Sequence, residues 1–383
     1  MILMLAETFF NAKTPRSPRK LKNTTLCVLS VFAVNVSVCP YNYIQTESLM
    51  NPNKYKISPK RADKLINGFA RRKVVVLGDL MLDEYLFGAV SRISPEAPVP
   101  VVEVSREEFH LGGAANVAWN IAALKGQAFP VGTVGSDRAE KILRREFKTR
   151  KISELGLVNQ PGRPTTIKTR IVAGHQQVVR VDREHRQDIS PGAQQYVIKA
   201  LEKLVPLADA ILIEDYNKGL ITSPVLKAAL ELGRKHKKII TVDPKFNHFL
   251  EFNGVTLFKP NIHEAERALG IKISGPEDII RAGKSLLQRL EAKAVMITAG
   301  DQGMYLFIAG QNQVLRIPTA AREVYDVSGA GDTVISVATL ALCAGASFLE
   351  AAVTANHAAG VEVSKFGVAE VTGEELKQAL RNW

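Results

Sequence analysis

Asp326-Val-Ser-Gly-Ala-Gly-Asp-Thr333 is the stretch on which the reading of this chain turns. It lies between a short β-rich run, Val314 to Pro318, and the segment Val334 to Cys343 (VISVATLALC), which is apolar all round and reads as a buried helix. Gly329, Ala330 and Gly331 allow a tight turn that aims successive N–H groups at one point, where the helix begins. Such a turn cradles an anion. Asp332 stands in its mouth, and a carboxylate there would repel a passively held phosphate. The pairing makes chemical sense if Asp332 takes a proton from a hydroxyl while the cradle holds the phosphoryl group that the hydroxyl attacks. The same residues taken alone fit a Gly-rich turn with Asp332 as a helix cap.

Working outward, the second half of the chain alternates strand and helix. Strands are expected at Ala210 to Glu214, Ile239 to Val242, Val295 to Thr298 and Met304 to Ile308, and helices at Pro224 to Lys235, Ile262 to Leu269 and Pro276 to Leu290. This order implies a doubly wound α/β fold with a mostly parallel sheet and right-handed crossovers. Several strands end in polar clusters, Glu214-Asp215-Tyr216, Asp243-Pro-Lys245, Lys259-Pro-Asn261 and Thr298-Ala-Gly300, which one sheet edge would gather into one crevice. Asn261 and Glu264 share the first turn of a helix. They suit the ordering of a hydrated Mg²⁺, and they fit an N-cap with its capping-box glutamate as well. Gly283-Lys284-Ser285 imitates the end of a phosphate-binding loop, but Asp278 stands where that loop needs its first glycine.

The first half begins its core at Lys73 to Leu77, followed by Gly78-Asp79 and Asp83. At the carboxyl end of a strand these two acids are placed to hold sugar hydroxyls, or else to cap a turn. No GxGxxG follows, which argues against a dinucleotide-binding start and a nicotinamide-dependent dehydrogenase. After a strand at Val99 to Val104, the run from Leu111 through Gly112, Gly113 and Asn116 opens a helix ending near Leu124, with glycines that let a ligand approach the backbone. Thr165 to Asp182 alternates strongly and reads as an antiparallel hairpin, forming with 99–104 a small β lid on the parallel core. Lys168, Arg170 and Arg180, read as facing inward, are candidates for a substrate phosphate; solvated strand charges are the alternative.

Composition is that of a globular protein, 46% hydrophobic and 23% charged over 383 residues. The net charge of +12 includes +3 on residues 1–49, so the body is positive by itself. A positive body suits phosphorylated ligands. No basic stripe interleaved with aromatics and no nucleic-acid motif accompanies it, which excludes nucleic acid as the expected partner. Cys27, Cys39 and Cys343 form neither a disulfide framework nor a metal pair, so the chain reads as a reducing, cytoplasmic protein. Residues 1–49 read as an extension upstream of a working start at Met50. Their apolar run Leu26 to Val38 has signal-peptide length and is too short to span a bilayer comfortably.

Taken together, GDxxxDxY at 78–85, GGAAN at 112–116, NxxE at 261–264 and DVSGAGD at 326–332 resemble the ribokinase (PfkB-type) family of sugar kinases, over about residues 70–383. Within it, Ser91 to Pro100 (SRISPEAPVP) and Glu323 to Val334 look like the kinase domain of the heptose enzymes of lipopolysaccharide synthesis. Those enzymes phosphorylate D-glycero-β-D-manno-heptose 7-phosphate at C1. The resemblance implies Asp332 as base, with the 329–331 backbone as anion hole. It implies a sugar site of Asp79, Asp83, Gly112, Gly113 and Asn116, and an ATP/Mg²⁺ site at Asn261 and Glu264. Thr298, Gly300, Gly303 and Asn356 would line the nucleotide, and Asp326 and Ser328 fall where relatives hold a monovalent cation such as K⁺. It further implies a homodimer joined through the lids. Many heptose-type relatives carry a C-terminal adenylyltransferase with an HxGH-like motif; none of the seven histidines here forms one, so a separate adenylyltransferase is expected. A kinase of another sugar, or a non-catalytic sugar-phosphate sensor, are the alternatives.

Overall fold

The apolar run Lys73–Gly78 (β1) sends alternate side chains to opposite sides, Val74 and Val76 into one hydrophobic layer and Val75 and Leu77 into another. A strand buried on both faces must sit centrally in a parallel sheet with helices on each side. In a computed structural model, which describes residues 55–174, 176–365, 367 and 369–382, that is its position. The expectations for residues 1–49 lie outside the described residues.

The chain enters by helix α1 (Pro59–Phe69), runs through β1, and then forms two long strands, β2 (Leu80–Ile93) and β3 (Pro100–Gly113). Helix α2 (Ala114–Ala123), β4 (Gln127–Val134), α3 (Arg138–Thr149) and β5 (Gly156–Asn159) follow, then the hairpin β6 (Thr166–Ala173) and β7 (Gln176–Arg183). The second half is α4 (Pro191–Leu204), β8 (Ala210–Glu214), α5 (Ser223–Lys235), β9 (Ile239–Asp243), β10 (Leu257–Phe258), α6 (Ile262–Leu269), α7 (Pro276–Arg289), β11 (Ala294–Thr298), β12 (Met304–Ile308), β13 (Leu315–Ile317), α8 (Ala330–Cys343), α9 (Phe348–Val363) and α10 (Gly373–Arg381).

Nine strands form the main sheet in the order β13-β12-β11-β10-β9-β8-β1-β4-β5, all running one way except β12, which is antiparallel to both of its neighbours. One face packs on α1, α2, α8, α9 and α10, the other on α4, α5, α6 and α7. The smaller sheet has the order β3-β2-β6-β7, with β2 and β6 parallel and the outer pairs antiparallel. The expected α/β fold with an antiparallel lid is therefore present, and the lid is larger than read from sequence. β2 was not anticipated because register shifts at Phe87/Gly88 and Val90/Arg92 break the two-residue alternation that marks a strand. The strand expected at 99–104 is the opening of β3, which runs on to Gly113.

Candidate active site

Strand register brings three strand ends side by side, with Gly78 of β1 opposite Glu214 of β8, itself opposite Asp243 of β9. A Cβ on Gly78 would lie 2.1 Å from the Glu214 carbonyl oxygen, so this row closes only around glycine. Helix α8 meets the same edge with its N-terminus. Gly329, in the left-handed region at φ 92°, is its N-cap residue, and Asp332 falls in the first turn.

Asp332 is buried and held at both oxygens: Asn116 Nδ2, from the first turn of α2, donates to Oδ2 at 2.8 Å, and the Tyr216 hydroxyl donates to Oδ1 at 2.9 Å. A helix N-terminus favours the ionised form. Burial outweighs it and pushes the carboxyl up to about 6, the charge of Asp243 adding to the rise and the two hydrogen bonds and Lys259 opposing it. At pH 7 the ionised form still leads by about ten to one. Burial also raises the Tyr216 hydroxyl well above its ordinary value, so it stays a proton donor.

Two lysines counter the acids. Lys259 Nζ lies 2.7 Å from Asp243 Oδ2, and Lys245 pairs with Glu264. Glu214, Asp243 and Asp332 each bring a carboxylate oxygen within 4.8 Å of the others, and burial together with this crowding raises Glu214 well above the usual range. Asn261 and Glu264 form a full capping box. Asn261 Oδ1 accepts from Glu264 N at 2.9 Å, and Glu264 Oε2 accepts from Asn261 N at 2.9 Å. The helix-capping reading of this pair is therefore present. With these oxygens already engaged, the pair fits a Mg²⁺ that keeps its waters better than one stripped of them.

The lid supplies the opposite wall. Asp83 is paired with Arg170 at 2.6 Å, and Gly112 leaves the space this needs, because a Cβ there would stand 2.7 Å from Asp83 Oδ2. The ammonium groups of Lys168 and Lys245 lie 5.3 and 5.4 Å from the centre of the Tyr216 ring, and burial lowers the pKa of Lys168. A cavity of about 580 Å³ is bounded by Thr319, Arg322, His357, Gly360, Ser364 and Gln378; its lining includes none of Thr298, Gly300, Gly303 and Asn356.

Some expected residues stand elsewhere. Asp79 does not face an open cleft: its carboxylate accepts the backbone N–H groups of Tyr216, Lys218 and Leu220 at 3.0, 3.0 and 3.3 Å. It fixes the loop that presents Tyr216. Arg180 lies opposite Arg170 across β6 and β7 and so shares its face, but β7 is the edge strand and leaves it exposed, with Nε and Nη2 on Asp182 at 2.9 and 3.0 Å. Asn356 donates to the Pro318 carbonyl at 2.7 Å, Gly303 is required by the Ile317 carbonyl that a Cβ would meet at 2.1 Å, and Thr298 and Gly300 flank that turn at the end of β11. Asp326 accepts from the backbone N–H of Ser328 at 2.9 Å, an Asx turn leading into the anion cradle. Sequence reasoning did not single out Tyr216, Lys259 or Asp243, and the only signal for them was the polar residues after each strand.

The doubly wound sheet, its β lid and a buried carboxylate at a Gly-rich helix start define a ribokinase-like sugar kinase. The chain belongs to the pfkB family of carbohydrate kinases, whose family model matches residues 71–374. It is 42% identical over 321 residues to the bifunctional protein HldE of Geobacter sulfurreducens, and 44% identical over 313 residues to that of Caulobacter vibrioides. These alignments take in 84% and 82% of this chain but 65% and 64% of the relatives, so the chain spans somewhat under two thirds of their length. Among solved structures, Arabidopsis thaliana ribokinase complexed with ribose and ATP superposes with a TM-score of 0.66 at 19% identity, covering 81% of this chain and 99% of that one. Escherichia coli phosphofructokinase-2 in complex with potassium gives 0.67 at 17% identity, covering 82% and 98%. At such identities the likeness concerns the fold.

Proposed function

We propose that this sugar kinase transfers the γ-phosphoryl group of ATP to C1 of D-glycero-β-D-manno-heptose 7-phosphate, giving the 1,7-bisphosphate, a step toward ADP-heptose and the lipopolysaccharide core. The observation that carries the chemistry is Asp332, buried at the start of α8 with both carboxylate oxygens accepting hydrogen bonds, from Asn116 and Tyr216. The choice of sugar rests on the likeness of residues 91–100 and 323–334 to heptose kinases, together with the identity to the HldE proteins.

In this reading Asp332 removes the anomeric hydroxyl proton while the 329–331 amides hold charge on the transferring group. Asp83, Gly112, Gly113 and Asn116 hold the sugar, and Lys168 with Arg170 faces its phosphate. Asn261 and Glu264 order the waters of Mg²⁺, which neutralises phosphate charge when bound. Thr298, Gly300, Gly303 and Asn356 border the nucleotide, and Asp326 with Ser328 borders a K⁺ site. The active form is a cytoplasmic homodimer joined through the lids. Adenylylation of the product falls to a separate adenylyltransferase acting downstream. Among the described residues, no helix is long and apolar enough to cross a membrane.

The test is a coupled ADP-release assay with mannoheptose 7-phosphate, fructose 6-phosphate and ribose side by side. Mannoheptose 7-phosphate should give the highest kcat/KM by at least a hundredfold. A higher value with either other sugar would overturn the proposed substrate.

A further inference from the structure

Lys259 is the group in this site whose chemistry the family motifs leave unused. Its side chain is only 3% exposed, on the segment between β10 and α6, and its ammonium reaches the row of strand ends 2.7 Å from Asp243. It also lies against the anion cradle: a Cβ built on Gly331 would have Lys259 Nζ as its nearest neighbour at 3.5 Å, and Asp243 Oδ2 next at 3.7 Å. Glu214, Asp243 and Asp332 crowd around this point, and three buried carboxylates need a resident cation. A lysine that only balanced charge could sit anywhere in the cluster. This one lies beside Gly331, one of the three residues whose backbone amides would meet a phosphoryl group.

We infer that Lys259 is a catalytic residue of the kinase, a fixed cation that touches the equatorial oxygens of the phosphoryl group in flight, from the side facing the 329–331 amides. The inference rests on the kinase reading and not on which sugar is the acceptor. The acceptor oxygen bonds to the γ-phosphorus and its proton goes to Asp332. The bond from that phosphorus to the β-bridging oxygen breaks, and its electron pair leaves with ADP. Lys259 keeps its protons throughout and stabilises charge only. In an NTP-dependent transfer whose catalysis is mostly positioning and electrostatics, such a group acts in the transition state far more than in the ground state.

Removing Lys259 alone would leave Asp243 buried and unpaired, so the test pairs Lys259→Met with Lys259→Met/Asp243→Asn, in which both charges of the ion pair are gone and folding should persist. Whichever variant keeps the native circular dichroism and melting is assayed with the best acceptor found for the wild type. Two readouts are taken: kcat, and the affinities for ADP and for ADP–aluminium fluoride in the presence of acceptor. kcat should fall about 10²–10³-fold, the scale of losing one transition-state donor. Affinity for the fluoride mimic should fall in parallel while that for ADP stays within threefold. Mimic affinity within threefold of wild type, or a loss shared equally by ADP, would overturn the inference and leave Lys259 as a structural counter-ion. Failure of the heptose substrate would not bear on it, since the acceptor is chosen by activity.

Discussion

Replacing Asp332 by asparagine should make the protein more stable and nearly inactive, and the stability half of that statement can be worked from the site. Burial raises this carboxyl from 3.8 to about 6, a difference of about two units, or about 3 kcal/mol at 1.36 kcal/mol per unit. Because the folded value lies above the unfolded one, the fold favours the neutral form. Below about pH 4 both states are protonated and nothing is lost; stability falls as pH rises toward 6, and above that the full cost applies. Asparagine is neutral at every pH and escapes it. Its amide nitrogen cannot accept the hydrogen bond that one of Asn116 and Tyr216 now donates, which costs about 1 kcal/mol. The net expectation at pH 8 is a gain of about 2 kcal/mol, or about 4 °C in melting temperature for a domain of this size. At pH 4 the variant should be level with the wild type or slightly below it. Thermal and urea unfolding at pH 4, 6 and 8, with turnover measured in parallel, provide the assay. Turnover should drop by several decades, as loss of a positioned base requires. A variant less stable than wild type at pH 8, or a stability difference that ignores pH, would refute the electrostatic argument. Retention of more than a tenth of the turnover would refute Asp332 as base.

Two further outcomes are expected. Tyr216→Phe removes a hydrogen bond that lowers the Asp332 pKa, so the acid limb of the kcat profile should move upward from about pH 6, with activity largely recovered by pH 8.5; a profile that falls uniformly at all pH would show a merely structural role. Gly112→Ala would press a Cβ onto Asp83 Oδ2 at 2.7 Å, raising KM for the sugar severalfold and costing about 1–3 kcal/mol of stability, readable by steady-state kinetics and urea melts.

Much of this was open to the sequence because the relevant patterns are local. Met304–Ile308 and Ile262–Leu269 fall where apolar periodicity places them, and the βα alternation specifies parallel strands whose ends share one edge. The lid was half legible: the sequence of β6 and β7 alternates despite one register shift at Ile171/Val172, whereas β2 is interrupted at two and loses its period. Alternation put Arg180 on the face of Lys168 and Arg170, as the register does, but not at the exposed edge, because the strand order of the lid is not written in the alternation. The partners of Asp79 were also out of reach: a carboxylate after a strand is as ready to bind backbone amides as sugar, and the loop at 216–220 that supplies the amides lies well over a hundred residues away.

The sequence by itself determined the class of fold and the Gly-rich start of α8 with Asp332 in its first turn, since glycine freedom, helix polarity and apolar periodicity act within a few residues. Only the tertiary structure decided what surrounds that carboxylate. Asn116, Tyr216 and Lys259 arrive from separate strands and helices, and burial, set by the packed whole, moves Asp332 against the direction its helix N-terminus favours.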